Sequence, residues 1–315
     1  MKAIIMAGGK GTRLYDNEHP CPKVLREACG RPLISYVFDS IDFIPDEDIT
    51  VVVGFMADEV KAAFPERSYA LQGQDGYGTG YAVRCAIEQS GLKDYKGDVV
   101  ILSGDVPCIK RETVEQLCHE HEASGNSFTM LTCVSERALP FGRIIRDADG
   151  NITGIREHKD CTPEERAIKE LNVGLYVFRC DRLVDALGKI NSDNAAGEYY
   201  LTDTVQVAFR QGKKVEACLC EDEKLVLGAN DRAGLLKLNE IANKIVVDRL
   251  LEDGVNFYCT DGVVISPDAV VGRDTTIATG TQLRGHVVIG EDCVIGPNTI
   301  IENSRIGDGC QIHSS

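Results

Sequence analysis

Apolar positions in the first two thirds of the chain fall into two kinds of run. Short stretches rich in Val, Ile and Leu occur at residues 2–7, 49–54, 98–103, 127–134, 171–178 and 214–220. Between them, residues 81–89, 111–122 and 203–210 carry apolar side chains at helical spacing. Thr202 predicts an N-cap for the last of these helices, and Gly212 stands past its end. Continuous apolar strands alternating with amphipathic helices predict an α/β, Rossmann-like, mostly parallel sheet covered on both faces. Ligands of such sheets bind beyond the carboxyl ends of the strands. The chain after Ala7 and after Ser103 is therefore predicted to carry chemistry.

A helical stretch over residues 231–251 follows, with Leu235, Leu238, Ile241, Ile245 and Leu250 on its apolar side. Beyond it the period changes to six. Ile265, Val271, Ile277, Leu283, Ile289, Ile295 and Ile301 stand six residues apart, and Ile306 and Ile312 resume the series after a five-residue step. Two positions before each lies a small or β-branched residue: Val263, Ala269, Thr275, Thr281, Val287, Cys293, Thr299, Ser304 and Cys310. This predicts a short hexapeptide parallel β-helix with the aliphatic residue pointing inward. So short a solenoid exposes an apolar end and flat faces, which predicts self-association.

Composition narrows the partners. A net charge of −15, from 34 basic and 49 acidic residues, argues against a nucleic-acid surface. Thirteen cysteines with no CxxC pair and no leader segment predict a reducing, cytoplasmic setting. No apolar run approaches a membrane span, so no membrane partner is expected. His119 and His121, two apart on a helix, point to different faces and are poor joint metal ligands.

The most informative stretch is residues 6–23, MAGGKGTRLYDNEHPCPK. After an apolar strand, Gly8, Gly9 and Gly11 allow a turn whose N–H groups point at an anion. Arg13 adds a fork of donors, and Lys23 adds a mobile point charge, with Lys10 nearby. The pattern is neither GxxxxGK[ST] nor a clean GxGxxG, so P-loop kinases and dinucleotide dehydrogenases fit poorly.

This stretch resembles the signature of the sugar nucleotidylyltransferases. Four further segments, SGDVP (103–107), EHKDCTPEER (157–166), AGEYYLTD (196–203) and GANDR (228–232), resemble the uridylyltransferase half of the bifunctional N-acetylglucosamine-1-phosphate uridylyltransferases. The resemblance implies a nucleotidyltransferase domain over residues 1–230, a linker helix over 231–251 and a left-handed parallel β-helix over 252–315, trimeric as in that family. It implies nucleotidyl transfer from UTP to N-acetylglucosamine-1-phosphate, giving UDP-N-acetylglucosamine and pyrophosphate. Arg13 and the glycine N–H groups would take the β- and γ-phosphates, and Lys23 the α-phosphate. Asp105 and Asn230 would hold Mg²⁺. Ala7, Gly8, Gln72, Gly78 and Thr79 would form the uracil pocket. Gly142, Glu157, Asn172, Tyr200 and Thr202 would bind the sugar.

The match departs from the pattern at Tyr81, where a histidine is usual, and at Val173, which replaces a hydroxyl residue. Two other readings therefore stay open: a uridylyl- or thymidylyltransferase for glucose-1-phosphate or another hexose-1-phosphate, and a catalytically silent sugar-nucleotide-binding subunit. The coils that carry the acetyl-CoA site in the bifunctional family lie beyond Ser315, so acetyltransferase activity is not expected.

Overall fold

The computed structural model describes residues 1–11, 14, 18–222, 224 and 227–313. The chain forms two compact units, Met1–Leu25 with Ile34–Ala229, and Arg26–Leu33 with Asn230–Ser315.

The first unit is built on a mixed sheet. Its strands are β1 (Lys2–Met6), β4 (Ile49–Val53), β5 (Ser68–Leu71), β6 (Asp98–Ser103), β7 (Phe128–Val134), β10 (Glu170–Arg179) and β11 (Val215–Cys220). The order across the sheet is β11-β7-β10-β6-β1-β4-β5, and a hairpin of β8 (Arg143–Arg146) and β9 (Ile152–Arg156) joins at β10. The small hairpin β2 (Glu27–Ala28) and β3 (Arg31–Pro32) belongs to the second unit. Sheet pairing is parallel from β6 through β1 and β4 to β5, whereas β10 runs antiparallel to both β6 and β7. The six predicted strands are all present; β5, β8 and β9 are additional.

Alternation along the strands supplies two cores. Ala3 and Ile5 of β1 face one side, with Val51, Val53, Val100 and Leu102. They pack on α1 (Leu33–Ser40), α2 (Ala57–Ala63) and α4 (Arg111–Ser124), through Val37, Val60, Val114 and Leu117. Ile4 faces the other side, with Val52, Val99 and Ile101. There it meets α3 (Thr79–Gln89), α6 (Cys180–Leu187) and α7 (Asp203–Arg210), through Ala82, Val83, Leu183 and Val205. A one-turn helix, α5 (Pro163–Arg166), carries a capping box between Thr162 and Glu165. Each fully buried Val, Ile or Leu contributes roughly 1.5–3 kcal/mol, so this two-sided burial fixes the strand ends from which the loops spring. His121 is buried beside Thr129 at 2.8 Å, while His119 is exposed.

The α7 start differs from expectation. Thr202 has helical backbone angles, and its hydroxyl donates to Glu157 instead of capping the helix. Gly212 does lie just past the end, at φ +65°.

In the second unit, α8 (Arg232–Glu252) begins at Asp231, whose carboxylate accepts the Gly234 N–H at 2.7 Å. Three stacks of short parallel strands follow, consistent with a left-handed β-helix. One stack pairs Asn256–Phe257, Thr276–Ile277, Val294–Ile295 and Gln311–Ile312. The hexapeptide residues Ile265, Ile277, Leu283, Ile289 and Ile295 are at most 1% exposed. The buried Thr275 hydroxyl donates to Gly290 O and accepts the Cys293 N–H, so the small-residue slots also tie successive coils together. The linker helix is part of this packing: Val246 and Leu250 of α8 share the β-helix core, and the Asn243 amide bonds Val263 O and Ile265 N. Among the described residues no helix is long and apolar enough to cross a membrane.

Candidate active site

The chain leaves β1, β4, β5 and β6 at one edge of the sheet, and main-chain bonds hold the four exits together. Ala7 N–H donates to Val52 O at 2.8 Å, Phe55 N–H to Gly8 O at 3.1 Å, Gln72 N–H to Val53 O at 2.7 Å and Gly104 N–H to Met6 O at 2.9 Å. They border a cavity of about 160 Å³ lined by Gly8, Gly9, Gln72, Gly78 and Thr79, together with Met6, Tyr77, Ala82, Ser103 and Glu198. Gly8 has no room for a side chain, since a Cβ there would lie 2.5 Å from the Gln72 Oε1 and 3.3 Å from Gly54 N. The five residues assigned by resemblance to the base pocket thus lie in or beside one cavity, with Ala7 fixed by its bond to Val52.

Gly11 adopts φ +59°, and a Cβ on it would sit 2.8 Å from the Lys23 Cβ, so the glycine turn also makes way for the lysine stem. Lys10 sets its ammonium over the Phe55 ring, 5.4 Å from the centroid. Arg13 lies outside the described residues.

Lys23 opens a single turn of 3-10 helix, and its ammonium forms an ion pair with the Asp105 carboxylate. Both side chains are largely withdrawn from water, at 15% and 16% exposure. The Ser103 hydroxyl donates to the Asp105 Oδ1 at 2.6 Å. Burial alone would raise the carboxyl pKa; the Lys23 charge and these hydrogen bonds outweigh it and hold Asp105 below the ordinary carboxylate range. Asp105 is therefore anionic at neutral pH.

The donor set suits one kind of cation. Among the described residues no three His, Cys, Asp or Glu side chains converge as a metal cage. A single anionic carboxylate fits Mg²⁺, which keeps most of its water and takes substrate phosphates as ligands. Asn230, the other residue assigned to the metal, is exposed and begins the second unit, whereas Asp105 belongs to the first. Asp231, not Asn230, caps α8.

Four of the sugar-assigned residues meet through direct bonds. Asn172 N–H donates to Gly142 O at 2.9 Å, and the Asn172 side-chain amide donates to the Tyr176 hydroxyl at 2.7 Å. Thr202 donates to the Glu157 Oε1 at 2.9 Å. Burial pushes the Glu157 carboxyl up despite that bond, with Asp203, Asp160 and Glu198 adding like charge. Burial also raises the Tyr176 phenol, and the Glu157 charge adds to the shift, which links the two pairs. Tyr200 lies with Glu157, Asp160 and Asp203 on a second cavity of about 290 Å³.

Sequence reasoning did not single out several residues that shape these sites. Ser103 and Glu198 sit inside the motifs SGDVP and AGEYYLTD, so their place beside Asp105 and Tyr200 was the available signal. Arg143 gave none: it is 2% exposed, and its guanidinium donates to the carbonyls of Phe141 and Leu139 in the loop before Gly142.

A family model described as the MobA-like NTP transferase domain matches residues 3–200, and the chain belongs to that family. The fold and the glycine-lined cavity thus define a nucleotidyltransferase. Among individual relatives, "Bifunctional protein GlmU" of Geobacillus sp. (strain WCH70) is 38% identical over 314 residues, covering 99% of this chain and 67% of the relative. Its counterpart in Clostridium beijerinckii is 40% identical over 315 residues, covering 99% and 68%. A Bacillus anthracis structure assigned as a glucose-1-phosphate thymidylyltransferase, solved with sucrose, superposes with a TM-score of 0.59 at 20% identity. It covers 77% of this chain and 95% of its own, and supports the fold.

Proposed function

We propose that this chain is a Mg²⁺-dependent sugar-1-phosphate nucleotidyltransferase that transfers the uridylyl group of UTP to N-acetylglucosamine-1-phosphate. A phosphate oxygen of the sugar-1-phosphate bonds to the α-phosphorus of UTP, the bond from that phosphorus to the bridging oxygen breaks, and pyrophosphate leaves. The nucleophile is already ionised, so the protein supplies position and charge rather than a general base.

The observation that carries this reading is the ion pair of Lys23 and Asp105 beside the Gly8–Gln72 cavity. Gln72 offers both a donor and an acceptor to a uracil edge. The glycine N–H groups and Arg13 receive the outer phosphates, and Lys23 neutralises charge at the α-phosphate. Mg²⁺, held by Asp105, would add charge neutralisation at the phosphates. Glu157, with Thr202, Asn172, Gly142 and Tyr200, receives the sugar hydroxyls and the acetamido group.

We further infer a homo-oligomer, a trimer assembled through the β-helix. Val264, Val270 and Ile300 point outward at 39%, 59% and 57% exposure, and such apolar faces favour burial in an interface. The thirteen cysteines carry thiols rather than disulfides among the described residues, which supports a cytoplasmic enzyme.

The test is pyrophosphate release with Mg²⁺ from UTP and from dTTP, each with N-acetylglucosamine-1-phosphate, glucose-1-phosphate and their galacto epimers. Selective turnover of UTP with N-acetylglucosamine-1-phosphate is expected. Preference for a hexose-1-phosphate or for dTTP would move the substrate, and silence across the panel would favour a regulatory binding role. A concentration-independent monomer mass in light scattering would overturn the trimer.

A further inference from the structure

The loop on the base side of the cavity and the segment leading to the sugar side form one hydrogen-bonded unit. Tyr199 N–H donates to Tyr77 O at 2.8 Å, and Gly80 N–H donates to Tyr199 O at 2.7 Å. These bonds join main chain to main chain and do not depend on side-chain identity. A third does: Leu201 N–H donates to the Thr79 Oγ1 at 2.9 Å. The two segments touch without slack, since Gly78 has φ +109° and a Cβ on it would lie 2.5 Å from Tyr199 O. From Leu201 the chain passes directly to Thr202, whose hydroxyl donates to Glu157. One row of contacts therefore leads from the first residue of α3 to the carboxylate on the sugar side.

We propose that Thr79 is a coupling residue: through the Leu201 N–H it makes occupancy of the nucleotide cavity and occupancy of the sugar-1-phosphate subsite mutually dependent. This rests on the nucleotidyl-transfer reading, which assigns the nucleotide to the Gln72–Thr79 side and the sugar to the Glu157 side. A ligand shifts an equilibrium only by its differential affinity for two arrangements. A nucleotide held by the main chain of Gly78 and Thr79 favours the ordered start of α3. That start holds Leu201, and Leu201 holds Thr202 where it donates to Glu157. The sugar favours the same arrangement from the other end, so the coupling factor must be equal in both directions. Without the Thr79 hydroxyl, the Leu201 N–H loses its acceptor, and the segment gains by shifting toward water. Thr79 acts here as a positioning residue, not through the reacting atoms.

The test is calorimetric titration of the full chain with N-acetylglucosamine-1-phosphate, with and without saturating Mg²⁺ and α,β-methylene-UTP, whose bridging bond is not cleaved. In the wild type the nucleotide analogue should tighten sugar-1-phosphate binding within the ordinary range for coupled sites, about 5- to 150-fold. Thr79→Ser should keep the factor. Thr79→Val should lower it at least fivefold, and the reciprocal titration should return the same number. An unchanged factor in Thr79→Val, or a factor of one in the wild type with both ligands binding, overturns the coupling alone. Failure of the wild type to bind either ligand overturns the function proposed above and the coupling with it. If Thr79→Val does not fold, hydrogen exchange on the wild type decides. The analogue alone should slow exchange of the peptide containing Leu201 and Thr202, and unchanged exchange overturns the proposal.

Discussion

Lys23 and Asp105, far apart in sequence, form an ion pair at the edge of the sheet, braced by the Ser103 hydroxyl on the Asp105 carboxylate. Under the proposed nucleotidyl transfer, the pair would set a cation and an anion beside the triphosphate. Neither partner is expendable, because removing one leaves the other poorly hydrated and uncompensated.

Asp105→Asn should lower Mg²⁺-dependent pyrophosphate release by roughly a hundredfold or more. It should also cost stability in a pH-dependent way. The folded carboxyl pKa lies below its ordinary 3.8, so the stabilisation is present above that value and lost as pH falls through the lowered one. Thermal melts should therefore separate wild type from variant at pH 7 and bring them together in strong acid. A full-rate Asn variant would refute the metal role.

Gly8→Ala should weaken nucleotide binding without unfolding the protein. The new methyl would meet the Gln72 amide at 2.5 Å, and that flexible end can move, although Gly54 N at 3.3 Å leaves little else to give. We expect a rise of about tenfold or more in the UTP dissociation constant, equivalent to about 1.4 kcal/mol, with a melting temperature within a few degrees of wild type. Unchanged UTP affinity by calorimetry would show that Gln72 does not read the base.

Glu157→Gln should separate sugar binding from stability. Burial raises the Glu157 carboxyl above its ordinary 4.5, so the folded state loses stability as pH rises from that value through the raised one. The amide removes that loss and can still accept from Thr202. At neutral pH the variant should melt at or above the wild-type temperature, with the gain shrinking toward pH 4, while its sugar-1-phosphate KM rises. A large drop in melting temperature at pH 7 would contradict the burial argument.

Ile289→Ala tests the β-helix core. The side chain is 1% exposed and sits in the inward column of the repeat. Truncation should cost about 2–5 kcal/mol, read as a lower denaturant midpoint. Val270→Ala, on an outward position that is 59% exposed, should leave the midpoint of the isolated chain nearly unchanged.

Periodicity alone determined most of this architecture, because burial on a regular backbone leaves a repeating mark. Residues such as Ile4 and Ile5 must both be apolar when a strand is covered on two faces, and Ile265 through Ile295 must recur every sixth position when each coil turns the same side inward. The glycine turn could likewise be placed from sequence, since it follows a buried strand whose apolar run marks it. What remained hidden depends on contacts between distant segments. The apolar run of β10 reads the same in either direction, and only its pairing shows that it runs antiparallel to β6 and β7. Thr202 looks like a helix cap until Glu157, brought beside it by β9, claims its hydroxyl. Nothing in the local sequence marks Arg143 as buried, with its guanidinium donating to the carbonyls of Phe141 and Leu139. Local sequence states what a residue can do, while the direction of a strand and the partner of a polar group are settled only when the chain closes on itself and each buried donor must find an acceptor.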